Sequence, residues 1–209
     1  MEQKPKSKSN VKKGFFEVEA PMTAAKISLY GTSAEEFDGK VVILDLTKSL
    51  RGKSLELRMK IHHENGKLRA VPRSAKLAGS FIRRSMRRGS DYVEDSFEAK
   101  CRDAVVIIKP FLITRRRVSR SVRNVLRETA KKFLKSYLKI RDSREVFSDL
   151  MANKLQKGMA SKLKKIYPLA MCEIRSFEIK GERPEGEVED VGTEEDVLED
   201  VEEEKEEGK

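Results

Sequence analysis

The chain has 209 residues, and 38% of them are apolar while another 38% are charged, so its globular part must be smaller than the whole. The sequence contains no apolar run near the roughly 20 residues of a membrane helix, and its basic, polar N-terminus lacks the apolar segment of a signal peptide. Cys101 and Cys172 follow neither a metal-binding spacing nor a disulfide framework. We therefore expect a soluble intracellular protein that binds no membrane and no small-molecule substrate.

Charge divides the chain into two unequal parts. Residues 182–209 hold 15 acidic and 3 basic side chains, whereas residues 1–181 hold 42 basic and 20 acidic ones. A basic body of this size predicts a large polyanionic partner, because clustered lysine and arginine release counterions from phosphates. Composition also predicts disorder at residues 1–12 and 182–209, which leaves residues 13–181 as a single α+β domain. The acidic tail is expected to shield the basic body, and it can compete with nucleic acid before assembly.

Strand patterns dominate the first third of the chain. The sequence predicts a polar loop at 32–39 and strands at 14–21, 26–31, 40–46 and 54–63. The pattern at 54–63 is the clearest, since polar residues alternate there with Leu55, Leu57, Met59 and Ile61. Asn65–Gly66 then predicts a tight hairpin turn into a returning strand at 68–73.

A short helix and a second hairpin follow. Residues 75–89 are predicted to form a helix with four arginines on one side, namely Arg83, Arg84, Arg87 and Arg88. A hairpin through Arg102–Asp103 is predicted to lead into a strand at 104–114. Pro110 cannot donate a hydrogen bond to a neighbouring strand, so it predicts an edge or a bulge at that point.

From residue 118 to residue 140 the apolar period becomes helical. One stripe of the predicted helix is apolar and comprises Val118, Val122, Val125, Leu126, Phe133, Tyr137 and Ile140. The opposite stripe is basic and comprises Arg120, Arg123, Arg127, Lys131 and Lys135. The run Arg115–Arg117 precedes this helix, where a strand is predicted to end and the chain is free to reach outward.

The remaining segments complete a mixed architecture. Asp142 and Ser143 can cap a helix at 144–155 whose inward residues are Val146, Phe147, Leu150 and Met151. A further helix is predicted at 158–167 and a final strand at 169–180. This order predicts an α+β fold with a mostly antiparallel, β-barrel-like sheet and packed helices, because it lacks the alternation of βαβ units.

A search for catalytic chemistry finds no candidate site. His62 and His63 are adjacent, so on a strand they point to opposite faces and cannot share a metal ion. The chain lacks a glycine-rich phosphate loop, an HExxH motif, a CxxC motif and a nucleophile elbow. The sequence therefore predicts that the protein is not an enzyme and uses no metal and no cofactor.

The basic clusters are the functional signal that the residues themselves carry. Guanidinium groups three or four residues apart can follow a phosphate backbone, and the scarcity of aromatic residues favours folded, double-helical RNA over base stacking. The alternative of a merely solvated surface is disfavoured, because the basic stripe contains no acid. The predicted RNA-binding residues are Lys12, Lys13, Arg83, Arg84, Arg87, Arg88, Arg115, Arg116, Arg117, Arg120, Arg123, Arg127, Lys131 and Lys135.

Three segments are more specific than the arginine clusters. They are FFEVEAP (15–21), AVVIIKPFLITRRR (104–117) and KKIYPLAMCEIRSFEIK (164–180), in this order within residues 12–181. In these segments the chain resembles the small-subunit ribosomal protein family of archaea and eukaryotes, called e-type S-one or S-three-A-e. Phe15 stands where this family usually has Trp, and Ile43 stands where it usually has Glu. The short length and the acidic tail resemble archaeal more than eukaryotic members.

The resemblance implies a structural constituent of the small ribosomal subunit, located on its platform near the mRNA exit side. It implies contacts with small-subunit rRNA near its 3′ region and with neighbouring platform ribosomal proteins, and it leaves contact with mRNA open. It further implies a cytoplasmic, ribosome-bound protein without catalysis and without a cofactor. Two other functions stay open: a non-ribosomal basic adaptor that docks a partner through the helix at 118–140, and an enzyme acting on nucleic acid.

Overall fold

The computed structural model describes residues 13–23, 26–50, 52–64 and 66–182. The disorder predicted for residues 1–12 and 183–209 lies outside these residues, and so does Lys12, whereas Glu182, also predicted to be disordered, ends the last strand that the structure describes. The described residues form two compact units, one within Met1–Ile43 and Arg58–Pro72 and one within Leu44–Leu57 and Arg73–Lys209. The single domain expected at residues 13–181 stays a prediction.

The first unit is built from β-strands. They are β1 (Gly14–Glu19), β2 (Ile27–Gly31), most of β3 (Val41–Asp45), and the adjoining parts of β4 (Leu55–Glu64) and β5 (Lys67–Leu77). β1 pairs antiparallel with β2, so that Phe15 lies opposite Tyr30. It also pairs parallel with β5 through Val18 and Leu68. The strands predicted in this region are therefore confirmed, and β5 is longer than expected.

The core positions of β4 match the predicted alternation. Leu55, Leu57, Met59 and Ile61 are all at most 1% exposed. The polar loop expected at 32–39 is wrong in part, because it contains a 3₁₀ helix at Ala34–Phe37. Phe37 is buried, and its ring lies so close to Gly31 that an added Cβ there would overlap it. Burial of the apolar Phe37 side chain is favourable, and it explains why this otherwise polar segment forms a helical turn.

The second unit combines a sheet with helices. Its strands after β5 are β6 (Tyr92–Glu94), β7 (Phe97–Lys100), β8 (Ala104–Thr114) and β9 (Leu169–Glu182). Its helices are α1 (Gly79–Ser85), α2 (Arg120–Lys139), α3 (Ser143–Met151) and α4 (Lys154–Leu163). β9 pairs antiparallel with both β5 and β8, and the short strands β6 and β7 pair antiparallel with the other side of β8. The mixed α+β class and the mostly antiparallel sheet are confirmed.

The predicted β-barrel-like closure is wrong. Among the described residues the strand pairings of the first unit run β2-β1-β5-β4-β3, and those of the second run from β5 through β9 to β8 with β6 and β7. Neither series returns to its first strand, so the sheet is open. In the second unit helices provide the cover instead, because α2 packs against β6 and β7 and α4 packs against β9.

The helix predicted at 75–89 is wrong at both ends. β5 continues to Leu77, because Ala75 and Leu77 alternate into the core while Lys76 stays exposed. The helix α1 is confined to Gly79–Ser85, and Gly89 adopts the left-handed conformation with φ of +82° in the turn that follows. Arg83 and Arg84 therefore lie on the helix, whereas Arg87 and Arg88 lie beyond its end.

Pro110 lies at a bulge, as predicted, but not at an edge. The register between β8 and β9 shifts between Lys109 and Pro110. On the other side of β8, β7 pairs as far as Ile108 and β6 begins at Phe111. Pro110 thus faces the gap between two short strands, where no backbone N–H is needed.

The last two helices are shifted from their predicted positions. α3 ends at Met151 and α4 already begins at Lys154. Asn153 lies between them with φ of +58°, a left-handed conformation that interrupts the helical path. Val146, Phe147 and Leu150 are buried as expected, and Met151 is half-buried. The Phe147 ring meets the Phe177 ring of β9 edge to face, with 4.8 Å between the ring centroids.

Candidate nucleic-acid interface

Two arginine runs that are far apart in the sequence lie beside each other at the end of β8. Arg87 and Arg88 belong to the turn that leads into Asp91, and the run Arg115–Arg117 directly follows Thr114. The Thr114 N–H donates to the Asp91 carbonyl oxygen at 2.9 Å, and the Asp91 N–H donates to the Thr114 hydroxyl at 3.0 Å. We call the five residues Arg87, Arg88, Arg115, Arg116 and Arg117 the arginine cluster.

The backbone of the second arginine run is fixed at both ends. The Asp91 carboxylate accepts a hydrogen bond from the Val118 N–H, with 2.9 Å between Oδ2 and the nitrogen. The buried Thr114 hydroxyl donates to the carbonyl oxygen of Arg116 at 2.7 Å. Ser119 then caps α2 by accepting from the Val122 N–H at 3.4 Å. The expectation that the chain is free to reach outward here is therefore wrong, because the run is a pinned turn.

The side chains of the arginine cluster are exposed and uncompensated. All five are exposed, and none forms a hydrogen bond or an ion pair with another residue of the described ranges. The neighbouring acids are engaged elsewhere, since Asp91 binds the backbone and Glu94 forms an ion pair with Arg175. Within the described residues the cluster therefore presents positive charge without a counter-ion, which favours an anion from outside these residues.

The predicted basic stripe of α2 is exposed only in part. Arg120, Arg127 and Lys135 are exposed, and the exposed Lys139 extends the stripe toward the end of the helix. The Lys131 ammonium instead lies over the Phe97 ring, 5.6 Å from its centroid. Arg123 is half-buried, and its Nε is buried without a hydrogen-bond partner. We call Arg120, Arg127, Lys135 and Lys139 the basic face of α2.

The apolar stripe of α2 is centred on different residues from those predicted. The buried line comprises Leu126, Ala130, Leu134 and Leu138, whereas Val125 is 47% exposed. Phe133 and Tyr137 flank this line and are half-buried. Because the buried line packs against β6 and β7, it is not available for the partner docking that the adaptor hypothesis requires.

The other predicted contact residues lie outside the arginine cluster. Arg83 and Arg84 are exposed on α1, and the Arg84 guanidinium donates to the Gly52 carbonyl oxygen at 3.3 Å while it covers the Phe81 ring. Lys13 is exposed just before β1, in the first unit. Five of the predicted residues therefore form the arginine cluster, and these three are exposed at other positions of the chain.

The sequence reasoning missed two kinds of residue at this site. Asp91 and Thr114 organise the cluster through hydrogen bonds between segments that are distant in the sequence, and no local sequence pattern predicts such bonds. Tyr92 is different, because it is 57% exposed beside Asp91 while the next residue, Val93, is buried. The alternation in the segment DYVE could have placed its ring on the surface.

Metal binding, membrane insertion and thiol chemistry can each be assessed for the described residues. Among the residues that the structure describes, no three His, Cys, Asp or Glu side chains are grouped to hold a metal ion. No helix in the same ranges is long and apolar enough to cross a membrane. Burial raises the pKa of the free thiols of Cys101 and Cys172 to about 12, so neither is a reactive nucleophile near neutral pH.

A comparison with known families identifies the family of the chain. The family model described as the ribosomal S3Ae family matches residues 2–182, a range that includes the arginine cluster and all of α2. The match confirms the resemblance carried by the segments that begin at Phe15, Ala104 and Lys164. Such proteins are structural rather than enzymatic parts of a ribonucleoprotein that acts in translation. The chain therefore belongs to the ribosomal S3Ae family of small-subunit ribosomal proteins.

Proposed function

We propose that this protein binds small-subunit rRNA through the arginine cluster and the basic face of α2. The observation that carries the proposal is that Asp91 and Thr114 join two short arginine runs, whose five side chains are exposed and have no partner among the described residues. A fixed backbone lowers the entropy that binding must remove, and guanidinium groups form bidentate hydrogen bonds with phosphates.

The basic face of α2 extends this surface in one direction. α2 begins three residues after Arg117, and its 20 residues give it a length of about 30 Å. Exposed cations occur along that whole length, from Arg120 to Lys139. A surface of this kind follows a phosphate backbone and gives affinity and salt dependence rather than sequence specificity. Folded, double-helical rRNA is the partner that suits it best.

The finer location is proposed from the family resemblance. We place the protein on the platform of the small subunit near the mRNA exit side, in contact with neighbouring platform ribosomal proteins and with the 3′ region of the rRNA. It is accordingly proposed to be cytoplasmic and ribosome-bound, with Lys12, Lys13 and Arg83 as further candidate contacts. An RNA–protein crosslink map of intact subunits tests this location. Crosslinks that fall only on rRNA outside the platform would overturn it.

A salt series tests the rRNA contact itself. The variant R115Q/R116Q/R117Q should bind a fragment of small-subunit rRNA more weakly, and its affinity should depend less steeply on salt, by roughly one phosphate contact for each arginine that is lost. The matched control K157Q/K164Q/K165Q removes the same charge from three exposed lysines outside the cluster. If both variants lose the same affinity and the same salt dependence, the net charge of the protein and not the arginine cluster determines binding.

A further inference from the structure

The acidic residues beyond β9 begin at the opposite end of β8 from the arginine cluster. Glu182 pairs with Ala104, the first residue of β8, whereas the arginine run follows Thr114, its last residue. β8 has 11 residues, which at about 3.4 Å per residue places the two ends about 34 Å apart. Residues 183–209 hold 14 acidic and 3 basic side chains.

α2 joins these two ends of the second unit. It starts beside the arginine cluster and returns to the first residues of β8, because the Arg102 N–H donates to the Arg141 carbonyl oxygen at 3.2 Å. The Asp103 carboxylate also accepts from the Ser143 N–H at 2.8 Å. The basic face of α2 therefore extends from the region where residues 183–209 begin to the arginine cluster.

The length of the acidic segment matches this path. Polymer statistics for 27 residues, the number in 183–209, give a root-mean-square end-to-end distance of about 26–31 Å and a maximum extension of about 90 Å. The path along α2 is about 30 Å long, close to that root-mean-square value. Tethering raises the effective concentration of the acidic residues at the basic surface into the millimolar range, because the linker length suits the span.

We propose that residues 183–209 occupy the basic face of α2 and the arginine cluster in the RNA-free protein, as an intramolecular competitor of RNA. This inference rests on the proposed function for its consequence, though not for the contact itself. Exposed carboxylate–guanidinium pairs are individually weak and are screened by salt. The acidic segment therefore displaces weakly bound, non-specific RNA and yields to rRNA that engages the whole surface.

Selective labelling allows a direct test of the contact in the full chain. In the variant Gly208→Cys the new thiol can be given a nitroxide spin label near neutral pH, because burial raises the pKa of both native thiols to about 12. At about 50 mM salt the label should broaden the backbone amide signals of Arg115–Ser119, and at about 500 mM salt the broadening should disappear. Absence of broadening at low salt would overturn the inference.

Variants separate a specific contact from general attraction between opposite charges. Adding R115Q/R116Q/R117Q to Gly208→Cys should reduce the broadening of the amide signals of residues 115–119. Adding the charge-matched K157Q/K164Q/K165Q should leave the broadening in place. Equal broadening in the two variants would mean that the acidic segment has no preference for the arginine cluster, and the inference would be wrong.

A double-mutant cycle tests the competition with RNA. Replacing the 14 acidic residues of 183–209 by Gln and Asn should increase the affinity for a non-specific RNA duplex at least about tenfold at low salt, since it removes the competitor. The increase should shrink strongly in the R115Q/R116Q/R117Q background, whereas simple repulsion between the tail and RNA predicts the same increase in both backgrounds. If the label broadens the signals of residues 115–119 but R115Q/R116Q/R117Q does not change the RNA affinity, the proposed function is refuted while the contact of the acidic segment is supported.

Discussion

The Asp91 carboxylate accepts a hydrogen bond from the backbone N–H of Val118, so an acidic side chain holds the arginine run in place without neutralising any of its guanidinium groups. An acid inside a basic site usually weakens phosphate binding, because it adds a repulsive charge. Here the acid also fixes the turn between Thr114 and Ser119. Removal of the Asp91 charge should therefore strengthen RNA binding, whereas release of the turn that Asp91 fixes should weaken it.

We expect the variant Asp91→Ala to bind rRNA more weakly, although it removes a negative charge. The Val118 N–H loses its acceptor, which should lower the free energy of unfolding by about 1–3 kcal/mol and loosen the arginine run. Urea denaturation and RNA titration measure the two effects. The variant Asp91→Asn is the control, because its side-chain oxygen can still accept the bond while the charge is gone, so its RNA affinity should be unchanged or higher. Tighter binding by Asp91→Ala would show that charge outweighs position.

In the first unit, two glycines that lie opposite each other predict different outcomes for the same substitution. Gly14 and Gly31 are partners in the pairing of β1 with β2. A Cβ added at Gly31 would overlap the ring of buried Phe37, whereas one added at Gly14 would meet no atom within 4 Å. Gly31→Ala should therefore lower the free energy of unfolding by about 1–3 kcal/mol, as overpacking does.

The matched variant Gly14→Ala should leave stability unchanged or raise it by up to about 1 kcal/mol, because alanine restricts the unfolded chain. Urea denaturation of both variants checks the difference. Equal stabilities would mean that Phe37 moves away at little cost and that its ring does not fix the turn between β2 and β3.

Local patterns were sufficient to predict most of the elements but not the arrangement of the site. The alternation from Leu55 to Ile61 predicts a half-buried strand directly, because side chains of a strand alternate between two faces. The convergence of Arg88 with Arg115 depends instead on hydrogen bonds between Asp91 and Thr114. Such bonds join residues that no period or spacing connects, so the sequence could only display the two arginine runs as separate clusters.

The burial of α2 shows a second limit of sequence patterns. A helical projection based on the large apolar residues predicts that Val125 is buried, yet Val125 is exposed and the small residue Ala130 is buried. The buried line of α2 includes Leu126, Ala130 and Leu134, and the helix packs against β6, β7 and α4. The direction in which a helix crosses its sheet is a tertiary property that the projection does not contain.

A buried ion pair in the second unit should dominate the stability of the segment between β3 and β4. Lys53 Nζ lies 2.5 Å from Glu173 Oε2 on β9 and 2.8 Å from Asn153 Oδ1, and the two charged side chains are only 10% and 16% exposed. Lys53→Met leaves the Glu173 charge buried without its partner and should lower the free energy of unfolding by about 3–5 kcal/mol. Urea denaturation measures this loss.

The double variant Lys53→Met with Glu173→Leu should be more stable than Lys53→Met alone, because it removes the second buried charge as well. A double-mutant cycle of these variants should therefore show strong coupling. Additive losses would indicate that water reaches the pair and that each charge is solvated independently.

Stability should decline steeply in alkaline solution. Burial, aided by the carboxylates of Asp103 and Asp142, raises the pKa of Cys101 from its ordinary value of 9.0 to about 12. Burial and Glu173 raise the pKa of Cys172 to about 12 as well. Above pH 9 the unfolded chain therefore loses protons that the folded protein keeps. The stabilisation is complete below that pH and is lost as the pH rises toward 12, by up to about 1.4 kcal/mol per pH unit for each thiol.

Urea denaturation at about pH 8, 9.5 and 11 measures this decline, because these pH values lie around and above the ordinary thiol pKa and below that of the folded protein. The double variant Cys101→Ala with Cys172→Ala should show a shallower decline. Some decline should remain, because burial and the hydrogen bond to Asp149 also raise the pKa of Tyr137. Above about pH 10 the Tyr137 phenol ionises in the unfolded chain, whereas it keeps its proton in the folded protein. An identical pH dependence with and without the two thiols would show that they ionise equally well in both states, and the buried environment assigned to Cys101 would be wrong.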